Sequence, residues 1–97
     1  MDLQELRDRL TRLDGELLAL VAERQRLSTE VARVKRATGR PTRDFQRERE
    51  VLLNARAAAA KLGLPPALVD NLLRLLIRSS LATQEQAQVA AQGQGSG

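Results

Sequence analysis

The chain of 97 residues is 42% hydrophobic and 29% charged, carries a formal charge of +4, and contains no His, Cys, Trp or Tyr. This composition reads as one soluble domain whose core must be built from Leu, Val, Ile and Ala, since Phe45 is the sole aromatic residue. Disulfides, thiolate and imidazole metal ligands, Cys nucleophiles, Ser–His relays and aromatic stacking platforms are excluded, while the basic balance favours an anionic partner.

The opening MDLQELRDRL is charged at once and lacks the apolar centre of a signal peptide. No uncharged apolar run reaches the length of a bilayer span. A cytoplasmic protein without membrane contact is expected. Leu3, Leu6, Leu10, Leu13, Leu17 and Leu20, then Leu27, Val31 and Val34, recur at steps of three and four. This spacing predicts one helix from Asp2 to Thr38, stopped by Gly39 and Pro41. Such a helix is roughly 55 Å long, whereas a compact domain of this size has a radius of gyration of about 12–13 Å. Its apolar stripe therefore needs a partner, most economically a second copy of the chain.

A second helix is expected over Thr42–Leu62, ended by Gly63. The prolines of LGLPP are placed to open a third. That helix carries Leu68, Val69, Leu72, Leu73, Leu75, Leu76, Ile77 and Leu81, apolar over most of its circumference, and is expected to lie deep in the bundle. Residues 1–88 form the helical domain, and the Gly- and Gln-rich 89–97 is expected to be a disordered tail or linker.

Several polar residues interrupt this pattern. Arg24 occupies a seam position that should be apolar; by itself it is a register-fixing polar residue, a snorkelling arginine or a ligand-binding group. Lys35 follows eleven residues later, on the same face and about 16 Å along the axis. The two cations suit a small dianion, although a lysine near a helix C-terminus is also favoured by the dipole. Arg7 lies about 100° around the helix from Arg24 and about 25 Å away; it is a surface arginine, or it reaches the Arg24–Lys35 region of an antiparallel second chain. In RPTRDFQRERE, Asp44, Arg47 and Glu48 are helix-surface neighbours. Ser80 and Gln84 sit four apart on a largely apolar face and need polar partners.

Taken together, ELRDRLTRLDGELLALVAERQRL, VARVKRATGRPTRDFQRERE and LLIRSSLATQ resemble the stretches that identify the all-helical chorismate mutases. The resemblance spans residues 3–85, with Arg7, Arg24, Lys35, Asp44, Arg47, Glu48, Ser80 and Gln84 in order and at matching spacing. It implies an all-α fold in which three-helix chains intertwine as a homodimer, the long first helices pairing across two equivalent sites. It also implies conversion of chorismate to prephenate by a pericyclic rearrangement, with no cofactor and no metal. In that reading Arg24, and Arg7 from the other subunit, hold the substrate carboxylates. Lys35 and Gln84 donate to the ether oxygen, Glu48 accepts from the ring hydroxyl beside Asp44, Ser80 assists a carboxylate, and Arg47 supports the charge network. Arg40, Arg43, Arg49 and Glu50 are expected in solvent.

Two alternatives share the cationic pocket: an isochorismate pyruvate lyase and a 4-amino-4-deoxychorismate mutase. A basic coiled-coil module binding nucleic acid explains the charge and the seam. It does not explain why Asp44 and Glu48 join the cations, or why Ser80 and Gln84 interrupt the third helix.

Overall fold

A computed structural model describes residues 1–95, with side chains described for 1–86. The tail expected over 89–97 lies outside the residues described in full. Three helices follow in order: α1 (Leu3–Ala37), α2 (Phe45–Leu62) and α3 (Pro66–Gly95). All regular structure among the described residues is helical.

Each helix boundary has a local cause. Asp2 caps α1, its carboxylate accepting the Glu5 N–H at 2.8 Å. At the other end Thr38 N–H closes on Val34 O, and Gly39 takes a positive φ of 70°. The second helix starts at Phe45, later than the expected Thr42. Asp44 is extended (φ −127°, ψ 95°) and spends its carboxylate on the Arg47 N–H at 3.0 Å, so it caps α2 instead of joining it. Gly63 ends α2 in the left-handed region (φ 71°), and Leu64 N–H returns to Ala59 O. Pro66 then opens α3, where its missing N–H costs nothing.

The hairpin of α2 and α3 is joined by a short turn, and α3 also packs against α1. No Cα of α1 comes within 8 Å of one in α2 among the described residues. Arg24 bonds to Ser80 and Ser28 to Gln84, a constant offset of 56 residues, so α1 and α3 run parallel where they meet. Gln25 donates to Ser79 beside them at 2.7 Å. Small side chains permit the close approaches: Ala32 and Ala59 are buried, together with Val69.

This contact uses only the C-terminal half of α1. From Leu3 to Leu20 every residue is exposed, and the seam leucines 3, 6, 10, 13, 17 and 20 stand clear of the rest of the chain. The molecule measures 61 × 27 × 16 Å with a radius of gyration of 17.4 Å, well above the roughly 12–13 Å of a compact chain. It exposes 7717 Å², where a compact monomer of this mass exposes about 5,500 Å². The third helix shares this openness. It is the central helix of the chain, yet Leu68 and Leu75 remain more than half exposed, so its expected burial is only partial within one chain.

One ion pair ties the α2–α3 hairpin. Arg56 Nε and Nη2 donate to the two Asp70 oxygens, each at 2.9 Å. The hydrogen bonding from Arg56 holds the Asp70 carboxyl below the ordinary aspartate value; burial acts the other way, and the charges of Arg56 and Arg74 add to the lowering. A carboxyl depressed in the folded state contributes stability above the ordinary aspartate range and loses it as pH falls through the folded value. Asp70→Asn is therefore expected to melt below the parent chain at neutral pH, with the gap closing in acid. Thermal melts across the acid range check this, and a gap independent of pH would assign the loss to something other than the charge.

Candidate active site

The space that separates α1 from α2, roofed by α3, is a cavity of about 270 Å³. That is close to the lower limit of about 300 Å³ for small-molecule sites. Each helix presents one face to it at helical spacing. From α1 come Arg24, Ser28, Val31 and Lys35; from the start of α2 come Asp44, Arg47, Glu48 and Val51; from α3 come Ile77, Ser80, Leu81 and Gln84. The 3–4 periodicity that builds the bundle thus also aims these polar groups inward. Leu27 and Thr42 complete the wall.

Seven of the eight residues singled out in the sequence line this one cavity: Arg24, Lys35, Asp44, Arg47, Glu48, Ser80 and Gln84. Arg7 does not. It lies on the exposed N-terminal part of α1, about 25 Å from Arg24 along the axis.

The cations are held without being neutralised. Arg24 Nη1 donates to Ser80 Oγ at 3.0 Å, and Ser80 is buried. Lys35 Nζ donates to the Thr42 carbonyl oxygen at 2.7 Å, which ties the end of α1 to the segment before α2. Both side chains are half-buried, and among the described residues neither forms an ion pair with a carboxylate. An unpaired charge removed from water is costly. Most of the donor capacity of both groups stays unused by the protein, since a guanidinium has five N–H donors and an ammonium three. Two such groups on one cavity wall leave donors that an anion could take up.

Glu48 supplies the opposing chemistry. Arg43 Nε and Nη2 grip its carboxylate at 3.1 and 3.2 Å, while the Arg43 guanidinium lies 4.4 Å from the Phe45 ring centroid. Arg43 is exposed, in line with its expected place in solvent. It turns back to the site wall, because the cap at Asp44 directs the chain so that residues 43 and 48 meet across the first turn of α2. Arg47, also on the wall, pairs with Glu50 at 3.4 Å in an exposed contact. Gln84 is 7% exposed, and its Nε2 donates to Ser28 Oγ at 3.1 Å.

Ser28 and Thr42 did not stand out in the sequence. Ser28 is one turn after Arg24 on the same face, a spacing that would have signalled it. Thr42 contributes a backbone carbonyl, which no side-chain pattern reveals. Among the described residues no cluster of His, Cys, Asp and Glu has the geometry to hold a metal ion, and no helix is long and apolar enough to cross a membrane.

An all-helical chain with a cavity of charged and polar groups between its helices defines the structural class. The sequence model of chorismate mutase type II matches residues 6–85, and the chain belongs to that family. Over 80 residues it is 41% identical to the bifunctional chorismate mutase/prephenate dehydratase of Enterobacter agglomerans, covering 82% of this chain and 21% of the relative. The bifunctional protein of the same name from Escherichia coli (strain K12) is 38% identical over the same share of each chain. A chorismate mutase of Methanocaldococcus jannaschii is 29% identical over 84 residues, covering 87% of this chain and 85% of that protein. The chain thus spans about a fifth of the length of the bifunctional relatives and most of the archaeal one.

Proposed function

We propose that the chain is a chorismate mutase, converting chorismate to prephenate, and that it works as a homodimer. The observation that carries this is the pair of half-buried, carboxylate-free cations, Arg24 and Lys35, on the wall of one cavity. The substrate bears two carboxylates, an ether oxygen and a ring hydroxyl. Its rearrangement transfers no proton and needs no covalent intermediate, which fits a chain without His or Cys. As the C–O bond breaks, negative charge grows on the ether oxygen. Catalysis then consists of folding a flexible dianion into a reactive chair and meeting that charge with fixed donors.

The roles are those that the family resemblance implies for each group. Arg24, oriented by Ser80, takes a carboxylate in a bidentate grip. Lys35, anchored on the Thr42 carbonyl, and Gln84 donate to the ether oxygen, where only contacts that strengthen in the transition state raise the rate. Glu48, steadied by Arg43, accepts from the ring hydroxyl beside Asp44, and Arg47 supports the cationic wall. The second substrate carboxylate falls to Arg7 of a second copy.

The exposed leucine seam of α1 supports that second copy. About 2,200 Å² of surface beyond that of a compact monomer is within the range of a stable interface. A basic nucleic-acid-binding module fits less well, because Arg24 and Lys35 converge on a concave pocket beside Glu48 instead of lying along an open stripe. The lyase and amino-substrate alternatives are separated by product analysis with chorismate, isochorismate and the 4-amino analogue; the proposal expects turnover of chorismate to prephenate above the other two.

Arg24→Ala is expected to lower kcat/KM by about 10²–10³ while helicity and the dimer persist; dissociation of the dimer would assign Arg24 a structural role instead. Lys35→Ala is expected to lower kcat by a similar factor, and a change confined to KM would contradict its place at the ether oxygen. Leu10→Glu combined with Leu17→Glu places charge on the seam and is expected to shift sedimentation toward a monomer, with loss of activity. A monomeric parent chain that turned over chorismate at full rate would overturn the two-chain site.

A further inference from the structure

The charges of the cavity wall are answered unevenly. Arg24 and Lys35 are restrained by neutral acceptors, whereas both carboxylates of the wall, Asp44 and Glu48, are engaged by positive groups. The Glu48 side chain is 20% exposed, and it takes Arg43 Nε on Oε2 at 3.1 Å and Arg43 Nη2 on Oε1 at 3.2 Å. Asp44 gives Oδ1 to the Arg47 N–H at the start of α2, where the helix dipole offsets a negative charge. Arg43 stands outside the cavity lining, behind Glu48, with its guanidinium braced 4.4 Å from the Phe45 ring centroid. A carboxylate held this way still accepts hydrogen bonds, because the Arg43 grip occupies two of its roughly four lone-pair sites. The pairing offsets the negative charge that Glu48 would otherwise turn toward a ligand.

We propose that Arg43 is a specificity-determining residue: paired with Glu48, it fits this side of the cavity to a neutral hydroxyl and against a protonated amine at the same ring position. This rests on the chorismate mutase reading given above, in which Glu48 accepts from the ring hydroxyl. Chorismate and its 4-amino analogue differ at that position alone. An alkyl amine is protonated at neutral pH, as a lysine side chain is. A hydroxyl needs only a free lone pair, and Glu48 keeps two beside Arg43. An ammonium gains most from an unpaired carboxylate. Here it meets one already paired, in a cavity that also holds Arg24 and Lys35. Loss of Arg43 leaves the Glu48 charge open and turns the preference toward the amine. Arg43 acts through Glu48 and touches no reacting atom in this scheme.

The test uses the full chain at neutral pH and low ionic strength, where screening is least. KM for chorismate, and the inhibition constant of the 4-amino analogue competing with chorismate turnover, are measured for the parent chain, Arg43→Gln and Arg43→Lys. Competition reads the affinity for the amine whether or not the amine itself rearranges. The ratio of inhibition constant to KM is expected to fall about fivefold in Arg43→Gln, the scale of a partly exposed ion pair, and to stay near the parent value in Arg43→Lys, which keeps the charge. A general loosening of the site weakens both ligands together and leaves the ratio in place, so the ratio separates selectivity from structure. Circular dichroism verifies folding, and Arg43→Ala repeats the measurement if the glutamine variant is unfolded at the assay temperature. An unchanged or raised ratio in Arg43→Gln, an equal fall in Arg43→Lys, or an amine that fails to compete against Arg43→Gln would each overturn the role of Arg43 and leave the activity standing. Absence of chorismate turnover by the unsubstituted chain would overturn the mutase reading and this inference with it.

Discussion

Arg24 and Lys35 are positive charges held partly out of water that, among the described residues, pair with no carboxylate. That constraint organises the rest of the molecule. Arg24 stands at a seam position of α1, and the cavity lies on that face of the helix. Ser80 and the Thr42 carbonyl restrain the two cations without cancelling them, because neutral acceptors orient a charge while leaving it available. Donors already in place need no reorganisation as charge develops, which is why such sites act on transition states effectively.

The same constraint explains a sparse core. Among the described residues no large side chain is fully buried, and the interior consists of Ala32, Ala59 and Val69. The small side chains let α3 approach both of its neighbours, but they cannot supply the apolar burial that a domain of this length requires. The missing burial lies in the leucine seam, outside the cavity. Along α1 the leucines from Leu3 to Leu20 find no partner within the chain, whereas Arg24, Ser28, Val31 and Lys35 line the cavity. Arg7 belongs to the first half. It has no route to the cavity of its own chain, and it is the element that makes the proposed site depend on two copies.

Much of this was legible because helices translate spacing into direction. The alternating leucines gave the length of α1, and Gly63 and Pro66 marked the turn between α2 and α3. The 11-residue separation of Arg24 and Lys35 put both on one face, and that face lines the cavity. Less legible were features set by contacts distant in the chain. The start of α2 slipped from Thr42 to Phe45 because a side-chain cap and helix continuation compete at an aspartate, and the carboxylate at Asp44 was committed to the Arg47 N–H. Arg43 looked like one more solvated charge, since nothing in a linear pattern says that its guanidinium meets Glu48 across the cap. The spacing of Ser28 from Arg24 places it on the same face, and the parallel packing of α1 on α3 brings it to Gln84.

We propose that the cations of this cavity hold a doubly anionic ligand shaped like the reacting species. Calorimetric titration of the full chain with a bicyclic dicarboxylate ether tests it most directly, with Arg24→Ala measured in parallel. Saturable binding of one ligand per chain, lost when Arg24 is replaced, is expected. Binding that survives the loss of Arg24 undiminished, or no binding by the parent chain at all, would contradict it.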